Sequence, residues 1–148
     1  MELEKEITTT FENEYHKTIV NVVYTYGWLI DILKKRASKF HITTQQYNIL
    51  RILRGQYPKP ATINLLKERM LDKMSDASRI VERLVNKNLV CRTINQKDRR
   101  AVDILITEKG LELLKKMDKE MSSIELLETN ITPAEAQQLN IILDKLRG

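Results

Sequence analysis

The sequence predicts a mainly α fold: a winged helix-turn-helix carrying a small β-hairpin wing, flanked by N- and C-terminal helices suited to dimerisation. Three observations carry this expectation. Four glycines and three prolines in 148 residues are too few turn formers for an all-β chain. Apolar residues recur at helical spacing on both sides of one short alternating stretch. That stretch follows two short helices joined by a tight turn, the order of a winged helix-turn-helix.

The elements follow in turn. Residues 10–39 read as one long helix, with Ile19, Val22, Val23, Tyr26, Leu29, Ile30 and Leu33 at helical spacing. Val20 and Ile32 widen that stripe, so the helix needs partners on more than one side. Gly27 in its middle marks a close helix crossing or a cavity wall, close packing being the expectation. Thr43 with Gln46 forms a capping box for the next helix, which Gly55 and the Pro58-Lys59-Pro60 stretch end. A short helix from Ile63 to Met70, capped by Thr62, leads to a turn at Leu71–Met74. Another helix runs from Asp76 to Asn86, with Ser75 as the expected N-cap and Asp76 at the positive end of the dipole. Asn88 suits a left-handed residue after that helix. Val90–Ile94 and Ala101–Ile106 are β-like runs joined by a polar, basic connection. Thr107 caps a helix whose apolar face runs through Leu111, Leu114, Met117, Met121 and Ile124. Thr132-Pro133-Ala134-Glu135 opens the last helix with a capping box and a first-turn proline; Leu139, Ile142, Leu143 and Leu146 form its apolar side.

The expected organisation is one domain over residues 1–148. Residues 43–107 form the winged-helix part, and residues 10–39 and 108–148 the dimerisation helices. The net charge of +5 is unevenly spread. Residues 43–107 hold 13 Lys and Arg against 6 Asp and Glu, whereas residues 1–42 balance and residues 108–148 are slightly acidic. A basic surface confined to the centre of a chain suits a polyanion.

The candidate nucleic-acid contacts lie there. On the helix after Ser75, Ala77, Ile80, Val81 and Leu84 point to one side, toward a core. Ser75, Ser78, Arg79, Glu82 and Asn86 face away, with Arg83 on the flank; Ser75, Asp76, Ser78, Arg79 and Arg83 are the candidate contacts. Short polar residues let a helix enter the major groove, and arginine can donate two bonds to guanine. In the hairpin connection Lys97, Arg99 and Arg100 crowd together, with Asp98 able to orient a guanidinium. Like charges on a protruding loop gain nothing for folding, but they fit a phosphate backbone or a narrow minor groove.

In these residues the sequence resembles the MarR family. The resemblance rests on Ser75-Asp76-Ala77-Ser78-Arg79-Ile80-Val81-Glu82-Arg83-Leu84, Asn88-Leu89-Val90-Cys91-Arg92, Lys97-Asp98-Arg99-Arg100-Ala101 and Ile106-Thr107-Glu108-Lys109-Gly110. It implies a homodimer with intertwined terminal helices and a recognition helix in the major groove. It also implies a wing arginine, Arg100, held by Asp98 and reaching the minor groove. Many members are repressors released by small anionic or phenolic ligands or by oxidation. Two departures stand out: Asn88 replaces a usual glycine, and the reactive cysteine of peroxide-sensing members is missing from the first helix. Cys91, the one cysteine, reads as a small packing residue.

The resulting expectation is a transcription regulator, of the repressor kind, that binds pseudo-palindromic double-stranded DNA as a homodimer. A small aromatic or anionic effector is a further expected partner; Trp28, Tyr24, Tyr47 and Gly27 suggest where it would bind, although core packing is the expected role of most of them. The alternative is a winged-helix protein–protein module without specific DNA binding. Enzyme function is not expected: the chain has two histidines, no metal-ligand spacing and no nucleophile or phosphate-loop motif, so no catalytic residue, cofactor or metal is assigned. A single cysteine excludes an intramolecular disulfide. The polar, acidic N-terminus and the lack of a long apolar run point to a cytoplasmic protein without membrane contact.

Overall fold

The computed structural model describes residues 2–95, 102–122 and 124–148. Its elements are α1 (Leu3–Glu6), α2 (Glu14–Ser38), α3 (Thr44–Gln56), α4 (Ile63–Arg69), α5 (Ala77–Asn86), β1 (Val90–Ile94), β2 (Val102–Ile106), α6 (Glu108–Glu120), α7 (Ile124–Glu128) and α8 (Pro133–Arg147). The expected order of helices and hairpin is present, with two short helices, α1 and α7, that periodicity did not reveal.

Side-chain caps set most boundaries. Thr43 Oγ1 accepts from the Gln46 N–H at 3.1 Å, and Gln46 Oε1 accepts from the Thr43 N–H at 3.1 Å. Thr62, Thr107 and Thr132 cap α4, α6 and α8. The long helix starts at Glu14 rather than Thr10, because the Asn13 side chain accepts from the His16 N–H at 2.9 Å and closes its first turn. The helix expected to carry Ile124 stops at Glu120, and Ile124 opens α7 instead. Asn88 is left-handed, with φ of 58°.

The core sits under α3. Ile49, Leu50 and Leu53 of α3 meet Leu66 of α4, Val81 and Leu84 of α5, Ile104 and Ile106 of β2, and Leu114 and Met117 of α6, all buried. The antiparallel wing strands pair from Val90 with Ile106 to Ile94 with Val102. Ala61, between α3 and α4, adds a bridge to Ile104: each N–H donates to the other's carbonyl at 2.9 Å. This third edge was not expected from the sequence. It ties the base of the wing to the start of α4, so the wing and the helix pair are fixed to one frame.

Gly110 explains the Thr-x-x-Gly that follows the wing. A Cβ there would collide with the Leu89 carbonyl and lie 2.7 Å from Ile106 Cγ1. Thr107 Oγ1 donates to the Asn88 carbonyl at 2.8 Å, so α6 begins pressed against the chain leaving α5. Gly27, in contrast, has nothing within 4 Å of where a Cβ would stand. The close helix crossing expected at Gly27 is not made within the described residues of this chain.

Candidate nucleic-acid interface

The turn between α4 and α5 is organised by Asp72. Its Oδ1 accepts from the Met74 N–H at 3.1 Å and its Oδ2 from the Ser75 hydroxyl at 2.6 Å. The Ser75 hydroxyl, the Met74 N–H and the Gln45 side chain hold the Asp72 carboxyl below the usual aspartate range. Because Ser75 turns its hydroxyl to Asp72, it is not the N-cap of α5. That role falls to Asp76, whose Oδ1 accepts from the Arg79 N–H at 3.1 Å. A carboxylate also suits the positive end of the helix dipole.

Beyond the cap, α5 has the two faces its sequence predicts. Ala77, Val81 and Leu84 are buried, and Ile80 is half-buried. Ser78, Arg79, Glu82, Arg83 and Asn86 are exposed. Among the described residues, neither Arg79 nor Arg83 pairs with a carboxylate, so two guanidinium groups stand open to an anion. Arg92 of β1 donates from Nη2 to the Ser78 carbonyl at 3.2 Å and braces the first turn of α5 against the wing. Sequence reasoning passed over both Asp72 and Arg92. Strand alternation puts Arg92 on the same side of β1 as Val90, but its partner depends on how β1 crosses α5.

The structure thus brings Ser75, Asp76, Ser78, Arg79 and Arg83 onto one turn and helix face. Lys97, Asp98, Arg99 and Arg100, together with Ala101, lie outside the described residues. Cys91 is exposed and its Sγ lies 3.6 Å from the Leu105 carbonyl. It is therefore not the packing residue expected: among the described residues its side of β1 is left exposed.

A cleft of about 690 Å³ runs between α2, α3 and the α4–α5 turn. Tyr26, Leu29 and Tyr47 give it apolar walls, and Lys34, Arg51 and Lys73 give it charge. The Arg51 guanidinium lies 5.9 Å from the centre of the Tyr47 ring. Of the four residues expected to mark an effector site, only Tyr47 lines this cleft; Tyr24, Gly27 and Trp28 do not. Position around the helix decides that difference, since Tyr26 and Leu29, three residues apart, share the face that lines the cleft. Among the described residues no cluster of His, Cys, Asp or Glu is arranged to hold a metal, and no helix is long and apolar enough to cross a membrane.

Two short helices joined by a braced turn, the second with an open cationic face, and a hairpin fixed to the same core define a winged helix-turn-helix. Residues 42–102 match the model of the MarR family. The chain has a winged-helix fold, and its central part is similar to that family. It is 42% identical over 48 residues to the HTH-type transcriptional repressor MdtR of Bacillus subtilis (strain 168), a match spanning 32% of this chain and 31% of that relative. Its fold is similar to that of a mutant MarR from E. coli complexed with operator DNA: TM-score 0.78, 23% identity, 93% of this chain and 99% of that one covered. It is similar also to Bordetella bronchiseptica BpsR, from a study of the regulation of its DNA binding by 6-hydroxynicotinic acid. There the TM-score is 0.71 and the identity 19%, over 89% of this chain and 99% of that one.

Proposed function

We propose that this protein is a cytoplasmic transcription regulator that binds a pseudo-palindromic duplex as a homodimer and acts as a repressor. The observation that carries the reading is the outward face of α5, where Ser78, Arg79 and Arg83 are exposed and the two arginines lack carboxylate partners among the described residues. An N-terminal turn of short polar residues followed by arginine suits the major groove. The sequence places Lys97, Asp98, Arg99 and Arg100 in the connection between β1 and β2, where Arg100 would add a minor-groove contact and Asp98 would orient it. The operator-bound MarR of similar fold supports the reading. The enzyme class has no support in family or fold.

Homodimerisation has its own support. Residues 10–39 and 108–148 would supply the interface, chiefly through α2, α7 and α8. Ile19, Val23, Tyr26, Ile124, Ile141 and Ile142 are each at least 60% exposed in the single chain. Leaving that much apolar surface in water is unfavourable by roughly 25 cal/mol for each Å². A second copy covering it would also set two α5 helices about one helical turn of DNA apart. The cleft beside α2 supports a further element of the reading, release by a small aromatic or anionic ligand. Arg51, Lys34 and Lys73 would receive the anion, with Tyr26 and Tyr47 against the ring. The regulation of BpsR by 6-hydroxynicotinic acid is consistent with such chemistry.

The test is binding of wild type and Arg100→Ala to the DNA upstream of the protein's own gene and to scrambled DNA, across a salt series. The reading expects preference for the upstream DNA, steep salt dependence, and weaker binding with a slope lower by about one in the variant. Equal, weak binding of both proteins to both duplexes would favour the protein–protein module instead. Addition of 6-hydroxynicotinic acid or benzoate to the complex tests release.

A further inference from the structure

Met74 is 95% exposed, one of the least covered large apolar side chains among the described residues. Its position is not loose. The Met74 N–H is bonded to Asp72 Oδ1, the next residue's hydroxyl to Asp72 Oδ2, and Asp76 two residues on caps α5. The turn is therefore built to hold this side chain out at the head of α5. Met74 does not line the cleft beside α2, although its neighbours Leu71, Asp72 and Lys73 do. Its chain neighbours toward solvent are Lys73, Ser75 and, across the cap, Ser78 and Arg79, all outside the core.

We infer that Met74 is a specificity-determining residue that packs on a thymine methyl in the major groove; this rests on the DNA-binding reading above. The methyl is the one apolar feature on the major-groove edges of the bases. The residues at the N-terminal end of a recognition helix are those that reach base edges. Methionine suits the contact, because its unbranched thioether adapts to a small apolar target. Cations on both sides, Lys73 and Arg79, draw phosphates toward the same turn. Asp72 acts as a positioning residue that fixes where Met74 stands.

The experiment is selection of duplexes from a random-sequence pool by the full-length protein, followed by titration of wild type and Met74→Ala on the enriched duplex. Each thymine is then replaced singly by uracil, which removes only the methyl group. One thymine in each half-site should lose about fourfold in wild-type affinity on that change, the effect of about one buried methyl. Met74→Ala should be weaker on the thymine duplex by a similar factor, indifferent to uracil there, and unchanged in salt slope, because no charge is removed. An enriched pool on which Met74→Ala binds as tightly as wild type, with the same response to uracil, overturns the inference and leaves DNA binding intact. A change confined to self-association in sedimentation also overturns it, in favour of a second protein surface as the occupant. A pool that wild type does not enrich defeats the DNA-binding reading itself, and the inference with it.

Discussion

The centre and the ends of this chain use the same residue types to opposite effect. In the winged-helix part, aliphatic residues of α3, α5 and β2 are sealed: Leu50, Leu84 and Ile104 are each 0% exposed. In α8 no residue is buried, and in α2 only Ala37 is, although both helices carry as much apolar character as α3. The centre completes its core within one chain. The terminal helices present apolar faces that one chain leaves in water. Apolar periodicity therefore says that a face needs covering, and only the tertiary arrangement says whether the cover is already there.

The largest effect that sharpens this contrast is in the centre. Leu50→Ala should lower stability by about 2–5 kcal/mol, because the surrounding helices cannot collapse around the lost volume. Chemical denaturation should show it at every protein concentration. Ile142→Glu on α8 should behave differently. Ile142 is 60% exposed in the single chain, so a monomeric protein would lose no more than about 0.5 kcal/mol. A dimer covering that face should instead dissociate, and its thermal midpoint should become lower and less dependent on concentration. A variant that sediments like wild type would break the comparison by showing that α8 is a free surface.

A smaller effect belongs to the α5 cap. Asp76→Ala should cost about 1 kcal/mol, since one amide at the start of the helix loses its acceptor. Asp76→Asn should recover most of that, which separates capping from charge. Thermal unfolding of the two variants checks this.

The smallest effect compares the two capping boxes. Gln46 closes the box of α3 without a titrating group, whereas Glu135 closes that of α8 with a carboxylate. The Thr132 N–H and hydroxyl hold the Glu135 carboxyl below its ordinary value of 4.5. A depressed folded pKa means the contribution is fully present above the unfolded value and is lost as pH falls through the folded one. Amide protection at the start of α8 should therefore fall in the acid range below that ordinary value, while α3 stays unchanged. Glu135→Gln should remove the difference.

Much of the fold was legible because its signals are local. Thr43 with Gln46, Thr62, Thr107 and Thr132 with Glu135 satisfy amides three residues away, so a short stretch of sequence contains both partners. The buried side of α5 was legible for the same reason, since helical period alone puts Ala77, Val81 and Leu84 together. The candidate site was only half legible. Ser78, Arg79 and Arg83 follow from the same period. Ser75 was misassigned as the cap because its competitor, the Asp72 carboxylate, belongs to the preceding turn. Cys91 was read as packed because alternation cannot tell a covered strand face from a bare one.

By itself, then, the sequence determined the order of the longer helices and the hairpin, the threonine caps and the buried face of α5, all of which depend on spacings of two to four residues. The tertiary structure alone decided what those elements meet. It decided the Ala61–Ile104 bridge, the tight seat that Gly110 leaves for the Leu89 carbonyl, the brace from Arg92 to Ser78, and which apolar faces stay uncovered. Each depends on residues distant in sequence arriving at one place, and no local pattern encodes an encounter of that kind.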